Sequence, residues 1–355
     1  MENTENKSFW QKYLKPLVSH KVFTLILLLL GLWIIFSIWA NIVGNTFFSL
    51  PTMRNILASI VLSSFLTIGA GCLLISGALD LSQAAVGAFG GMVMASAIAG
   101  WGLPWYLAIL VALALCAVFG AINALLVDKF RFPAFIATLS MSYMAKGLMY
   151  LFSSLGSATG TAQNIQFMKP PVIQLLGTGN LSKSIPVLKD IPVGVVVMLI
   201  FFIIYGVIMS KTTFGKKVVL MGGNRYAAHL AGINSSAITY ILFINSAVLG
   251  GVSGIFNSAK LGQGQLLALQ TNQFTGITAA ILGGISFGGG AGGMGGAFIG
   301  LLILNTFQIG MSTVKVNPFW INVFTGILLL VALSFDFFAR LRAGQKTARQ
   351  AREAK

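Results

Sequence analysis

The sequence predicts an all-α polytopic membrane protein with about ten transmembrane helices and a possible internal repeat. Three observations carry that prediction. Hydrophobic residues make up 56% of the 355 and charged residues only 8%, against about 25% charged in soluble domains. The apolar residues arrive in runs of roughly 18 to 22, the length that crosses a bilayer as a helix. Basic residues flank these runs instead of entering them, which is how a membrane protein sets its orientation. A β-barrel does not fit, because its strands would be about ten residues long and strictly alternating.

Taken in order, residues 1–21 form a polar N-terminal segment with Lys7, Lys12, Lys15 and Lys21. They do not read as a cleavable signal, since the apolar run that follows is too long and no A-x-A site comes after it. The membrane domain is expected over 22–338. Its first span is 22–42, with Trp33 and Trp39, and its second is 55–75. Residues 76–102 are rich in Gly and Ala and contain Asp80. They read as a polar turn and then a third span, where Gly87 and Gly91 make a GxxxG pair that allows close helix approach.

The fourth span, 105–127, ends at the charged turn 128–131. Pro133 suits the first turn of the fifth, 133–153. A long loop, 154–191, carries Pro170, Pro171 and Pro186. The sixth span is 192–209 and the seventh 238–256, separated by a basic loop, 210–235. An amide-rich stretch, 257–273, precedes a short eighth span, 274–287, which runs into the glycine tract 288–293. The ninth span is 295–314, the tenth 319–338, and 339–355 is a basic tail. Ile75-Ser76-Gly77 before one Gly-rich span loosely echoes Leu282-Gly283-Gly284 before another, as in duplicated transporter halves.

Sixteen of the 23 Lys and Arg fall in the termini and in the loops 128–131 and 210–235. Six fall on the other side, and Lys146 lies within a span. The bias places both termini in the cytoplasm of a multi-pass cell-membrane protein. The net charge of +16 would suggest nucleic acid in a soluble chain. Here the charge flanks membrane spans and no nucleic-acid motif accompanies it, so no such partner is expected. Cys72 and Cys116 sit in apolar runs and read as packing residues.

The chemical inventory is short. No G-x-x-x-x-G-K-[ST] is present, so the chain does not bind ATP by a P-loop. Residues 288–293 fit G-x-G-x-x-G by letter, but lack the acidic residue about 20 positions on that a dinucleotide site wants. They read as packing or a kink. His20 and His229 are far apart and make no metal set. No catalytic residue, metal or cofactor is expected, and the chain does not read as an enzyme.

Intramembrane ionisable residues are functional candidates because burying charge in lipid is costly. Lys146 either snorkels to the outer surface or lines a pathway. Asp80 either begins a helix, where a carboxylate suits the dipole, or serves function. The amides Asn123, Asn245, Asn305 and Gln308 either hydrogen-bond between helices or bind a neutral polyhydroxylated solute. Proton-coupled carriers keep carboxylates in their spans as relays. Their scarcity here points to a driving force applied from outside the chain. A carrier driven by an ion gradient is the alternative, and a non-transporting membrane scaffold a third reading.

That force needs an entry point. Within 210–235, Asn224 is a good N-cap and Gly232 a good residue past a helix end. Arg225 to Ala231 therefore reads as a capped helix about 10 Å long. Tyr226, Leu230 and Ile233 at i, i+4 and i+7 offer an apolar stripe. It faces either a cytoplasmic protein or the lipid interface.

The run FGKKVVLMGGNRYAAHLAGIN resembles the cytoplasmic loop of permease subunits of bacterial ATP-binding-cassette importers, in the branch handling ribose, xylose and galactose. ISGALDLSQAAVGAFGG, NALLVDKFRFPAFIATLSMSYMAKGL and AAILGGISFGGGAGGMGGAFIGLLIL are similar to further segments of that family. The resemblance implies a permease subunit that moves a monosaccharide or related polar solute. Separate ATPase subunits would supply energy, an external solute-binding protein would deliver ligand, and a second permease copy or close relative would pair with it in the lipid. By the same resemblance Gly222, Gly223, Asn224, Arg225, Ala228 and Gly232 couple to the ATPase. The chain departs from the family's usual pattern at Ala78, at Lys146 (more often Arg) and at Asn272-Gln273-Phe274-Thr275.

Overall fold

A computed structural model describes residues 21–180, 191–269, 272 and 274–353. The expectations for residues 1–20, and those for Lys183, Pro186, Lys189, Gln270 and Gln273, lie outside these. The described residues are almost wholly helical. The helices are α1 (Lys21–Ile42), α2 (Leu50–Ile75), α3 (Gln83–Ala99), α4 (Trp105–Asp128), α5 (Ala134–Gly156), α6 (Pro171–Thr178) and α7 (Val193–Lys211). Then follow α8 (Thr213–Gly223), α9 (Arg225–Leu230), α10 (Ser235–Leu261), α11 (Thr275–Leu282), α12 (Met294–Thr313) and α13 (Pro318–Glu353). Two short strands, β1 (Ile165–Gln166) and β2 (Gln263–Gly264), pair antiparallel.

Eight helices are long and apolar enough to cross a membrane: α1, α2, α4, α5, α7, α10, α12 and the first part of α13. The expected third and eighth spans are shorter than the sequence suggested. The third is the 17-residue α3, because residues 78–82 stay non-helical, with Asp80, Leu81 and Ser82 buried. The eighth is only the eight residues of α11. It stops at Gly283 and Gly284, and 285–293 continues as irregular chain. Irregular backbone at membrane depth is tolerated when protein covers it.

The two echoing segments share one local structure. After α2, Gly77 N–H reaches Leu74 C=O and Ala78 N–H reaches Leu73 C=O. After α11, Gly284 N–H reaches Ile281 C=O and Ile285 N–H reaches Ala280 C=O. Both glycines are left-handed, with φ of 79° and 87°. This is the paired helix-ending pattern that a glycine makes possible. The internal echo thus corresponds to a shared helix-ending turn, after α2 and after α11.

The centre of the bundle is α10, packed on α2, α3 and α4. Backbones touch there: a Cβ on Gly254 would lie 1.7 Å from Gly87 O, and one on Gly91 2.6 Å from Gly254 O. Small residues thus set the helix separation, as the GxxxG pair predicts. At the periphery α1 and α13 leave most of their surface open, and α4 and α7 turn largely apolar faces outward, such as Leu110, Val118, Ile203 and Val207. Those are the faces that lipid solvates.

Candidate functional site

The basic loop folds as two helices, not one. Thr212 caps α8, its Oγ1 accepting from Gly215 N–H. Val218 and Met221 then turn inward, while Lys216 and Lys217 face out. Sequence reading missed α8, although Val218 and Met221 at i and i+3 form a narrow apolar stripe that could have signalled it. The second helix, α9, forms where Asn224 predicted. The Asn224 side chain accepts from Ala227 N–H at 2.9 Å. Gly232, at φ 76°, ends it with the same pattern as Gly77: Gly232 N–H to His229 C=O and Ile233 N–H to Ala228 C=O.

That ending changes which residues face outward. Ile233 is buried, as the residue after such a turn usually is, so the exposed apolar pair is Tyr226 (72%) and Leu230 (70%) alone. Ala228 is also buried, so it packs α9 onto its own bundle. Arg225 Nη2 bonds Asp128 Oδ1 at 2.8 Å and Thr239 Oγ1 at 3.4 Å, and Ser236 Oγ donates to Asp128 Oδ2. These contacts hold α9 against the ends of α4 and α10. A cleft of about 720 Å³ beside it is lined by Asp128, Arg131, Arg225, Tyr226 and His229.

Under this pair of helices three backbone segments meet without side chains between them. Gly290 N–H donates to Ile75 C=O at 2.8 Å. A Cβ on Gly222 would sit 1.9 Å from Ile75 O and 2.7 Å from Gly290 N. One on Gly289 would sit 2.8 Å from Gly77 Cα. So the end of α8 is wedged between the turn after α2 and the glycine tract that follows α11 and its Gly284 turn. Asp336 on α13 fastens the tract from the other side, accepting from Phe287 N–H at 3.1 Å. Gly223, by contrast, faces open space. Backbone contacts alone thus join the end of α8 to both segments.

The polar residues expected in the spans do not converge on one site. Asp80, 3% exposed, accepts from Ser82 N–H at 2.8 Å, Ser82 Oγ at 2.6 Å and Ser246 Oγ at 2.8 Å. Asn123 Nδ2 donates to the same Ser82 Oγ at 2.9 Å. Asp80 and Asn123 thus belong to one buried network that ties the start of α3 to α4 and α10. Asn305 Oδ1 accepts from Ser59 Oγ at 3.2 Å and its Nδ2 donates to Leu301 C=O. Asn245 accepts from Tyr205 OH. Gln308 is half-buried on α12. Lys146, half-buried on α5, holds Nζ 5.4 Å from the Tyr143 ring centroid, within cation–π range.

A bundle of helices long and apolar enough to span a membrane, with an exposed capped helix joined to it through α8 and α10, fits a polytopic membrane transport component. The chain belongs to the family described as branched-chain amino acid transport system / permease component, which matches residues 52–333. It is 30% identical over 307 residues to the ribose import permease protein RbsC of Bacillus subtilis (strain 168), covering 86% of this chain and 91% of that one. It is 28% identical over 300 residues to the fructose import permease protein FrcC of Rhizobium meliloti, covering 84% and 81%. To the L-arabinose transport system permease protein AraH of Escherichia coli (strain K12) it is 29% identical over 303 residues, covering 85% and 87%. No solved structure matches the chain. The chain is a permease subunit of an ATP-binding-cassette importer, which works with separate ATPase subunits and a solute-binding protein. The ion-driven alternative does not fit these relatives.

Proposed function

We propose that the chain imports a monosaccharide, a pentose or hexose, and that α9 is the element on which the ATPase pushes. The similarity to permeases named for ribose, fructose and arabinose supports the solute class. The observation that carries the coupling role is the wedge of Gly222 between Ile75 and Gly290, in the chain immediately before α9 with its exposed Tyr226–Leu230 pair. Both termini and the loop 210–235 lie in the cytoplasm, in keeping with the Lys and Arg bias. Tyr226, Leu230 and Arg225 meet the ATPase cleft. Gly222, Ala228 and Gly232 shape and seat the helix, and Asn224 caps it. Asp80, Asn123, Asn245 and Asn305 brace the bundle. The two turns then follow α9, and the spans rock between outward-open and inward-open states whose balance the partner sets.

The test is uptake of radiolabelled ribose, xylose, arabinose and fructose into proteoliposomes. These hold the chain with its ATPase subunits, and the binding protein and ATP are supplied on opposite sides. Uptake of at least one sugar is expected, abolished by Tyr226→Asp together with Leu230→Asp while the membrane fold persists. Full transport by that double variant would remove α9 from the coupling step. Uptake of none of the sugars would overturn the solute class.

A further inference from the structure

The cleft beside α9 is more than a gap around that helix. Its volume of about 720 Å³ falls within the usual span of small-molecule sites, about 300–1,000 Å³. Three parts of the chain wall it: the turn between α4 and α5 with Asp128 and Arg131, α9 with Arg225 and His229, and the start of α10 with Ser235 and Ser236. Asp128 is the one carboxylate on this lining, and Arg225 and Ser236 hold its two oxygens. Arg131 makes no hydrogen bond or ion pair among the described residues. With Asp128 already paired, the surplus charge on the cleft is positive.

Further donors stand at the same place without acceptors. The cleft takes in the N-terminus of α10, a helix of 27 residues. Asn234 caps it: the side chain accepts from Ala237 N–H at 3.0 Å and the C=O from Ile238 N–H. The N–H groups of Ser235 and Ser236 have no acceptor among the described residues, and the positive end of the helix dipole lies with them. Ser235 is only 9% exposed, yet its Oγ has no hydrogen-bond partner. Buried hydroxyls are seldom left so, because losing water without a replacement is costly. Ser235 therefore marks a place where a partner is missing, on the wall of a cleft that has room for one.

We propose that this cleft binds a phosphate monoester group, and that the occupant clasps α9 to α4 and α10. Arginine presents a planar fork of N–H donors that matches phosphate oxygens. The first turn of a long helix is a ready anion site, and the Ser235 hydroxyl adds a neutral donor. These groups approach from three parts of the chain, which suits the three terminal oxygens of a phosphate ester better than the two of a carboxylate. The occupant touches His229 on α9, Arg131 before α5 and Ser235 on α10 together, so it resists any movement of α9 against the bundle. The site stands on this geometry. Only its effect on transport rests on the reading of α9 as the element that the ATPase pushes.

The full chain, purified in detergent without its ATPase subunits, brings no P-loop to the assay. Equilibrium dialysis against radiolabelled inorganic phosphate, and against the terminal phosphate ester of ribose, measures binding in chloride of matched ionic strength. Both are expected to bind. Arg131→Gly removes the guanidinium and suits the left-handed φ of 60° at that position, so the variant should fold as before and bind about tenfold more weakly. Ser235→Ala deletes a hydroxyl that has no partner in the empty cleft. Its melting midpoint should hold or rise while binding weakens about threefold or more. Binding undiminished in both variants overturns the site. Binding of a short-chain phosphatidic acid but of neither soluble phosphate supports the phosphate group and assigns it to a lipid. Binding of none of the three overturns the proposal, and if Arg131→Gly then weakens ATPase association, the cleft takes an acidic side chain of that partner. In the complex with ATPase subunits and binding protein, ribose phosphate should slow stimulated ATP hydrolysis in the native chain and spare Arg131→Gly. Binding without that effect overturns the clasp and leaves the site; it then counts against the coupling role of α9, not against the phosphate.

Discussion

Replacing Gly222 with alanine adds one methyl group where the chain has no space for it. The new Cβ would lie 1.9 Å from Ile75 O and 2.7 Å from Gly290 N, both backbone atoms that cannot rotate away. Overpacking of this kind costs about 1–3 kcal/mol. Separating Gly290 N–H from Ile75 C=O to relieve it costs about 1 kcal/mol more. Against this, alanine within a helix gains up to about 1 kcal/mol over glycine. The net expectation is a loss of about 1–3 kcal/mol, or a melting midpoint lower by ~2–6 °C at roughly 2 °C per kcal/mol for a chain of this size. Gly223→Ala is the internal control, since nothing lies within 4 Å of its Cβ; its midpoint should hold or rise.

Two readouts separate stability from coupling: the midpoint in detergent, and ATP-driven uptake per folded molecule. Gly222→Ala should lose uptake more steeply than it loses folded protein, because the strained contact is the one joining α8 to Ile75 and to Gly290. A Gly222→Ala protein as stable and as active as Gly223→Ala would refute the wedge. Loss of uptake in Gly223→Ala with an unchanged midpoint would instead mark Gly223 as a site of ATPase contact.

Asp80→Ala leaves two hydroxyls and one backbone N–H of the Ser82 and Ser246 network without an acceptor, a loss of about 2–4 kcal/mol to be read as reduced folded yield and a lower midpoint. Asp80→Asn keeps one acceptor oxygen and should lose less; the reverse order would contradict the bracing role. Asp128→Asn removes an ion pair whose arginine is 44% exposed, so solvent screening limits the effect to about 0–1 kcal/mol. Its midpoint should barely move, and raising salt should change the native protein equally little. Lys146→Met should leave the midpoint unchanged while raising the sugar concentration for half-maximal uptake, with Lys146→Arg rescuing it. A lower midpoint without a transport change would make Lys146 a packing residue.

What local sequence encodes was legible from local sequence. Apolar run length fixes whether a helix crosses a bilayer, so the eight long helices match their runs closely. Caps act over three or four residues, so Asn224 and Gly232 bounded α9 before any packing was known. The turns at Gly77 and Gly284 were visible as a faint echo for the same reason. The short α3 and α11 were not, because non-helical turns at 78–82 and 285–293 interrupt apolar runs whose length alone reads as spanning.

The rotational setting of each helix was beyond the sequence. A span that is apolar all round carries no periodic signal for its buried side, so a polar residue within it reads the same whether it braces the interior or faces a passage. Asp80, Asn123, Asn245, Asn305, Gln308 and Lys146 were all pathway candidates on sequence. Packing turned the first four into partners of Ser82, Tyr205 and Ser59 and left Lys146 beside the outward ring of Tyr143. Sequence thus determined that this is a helical membrane permease with a short capped helix at α9, since span length and caps are short-range properties. Tertiary structure alone decided that Gly222 packs against Ile75 and Gly290 and that Asp80 meets Ser82 and Ser246, since both depend on which segments meet across the bundle.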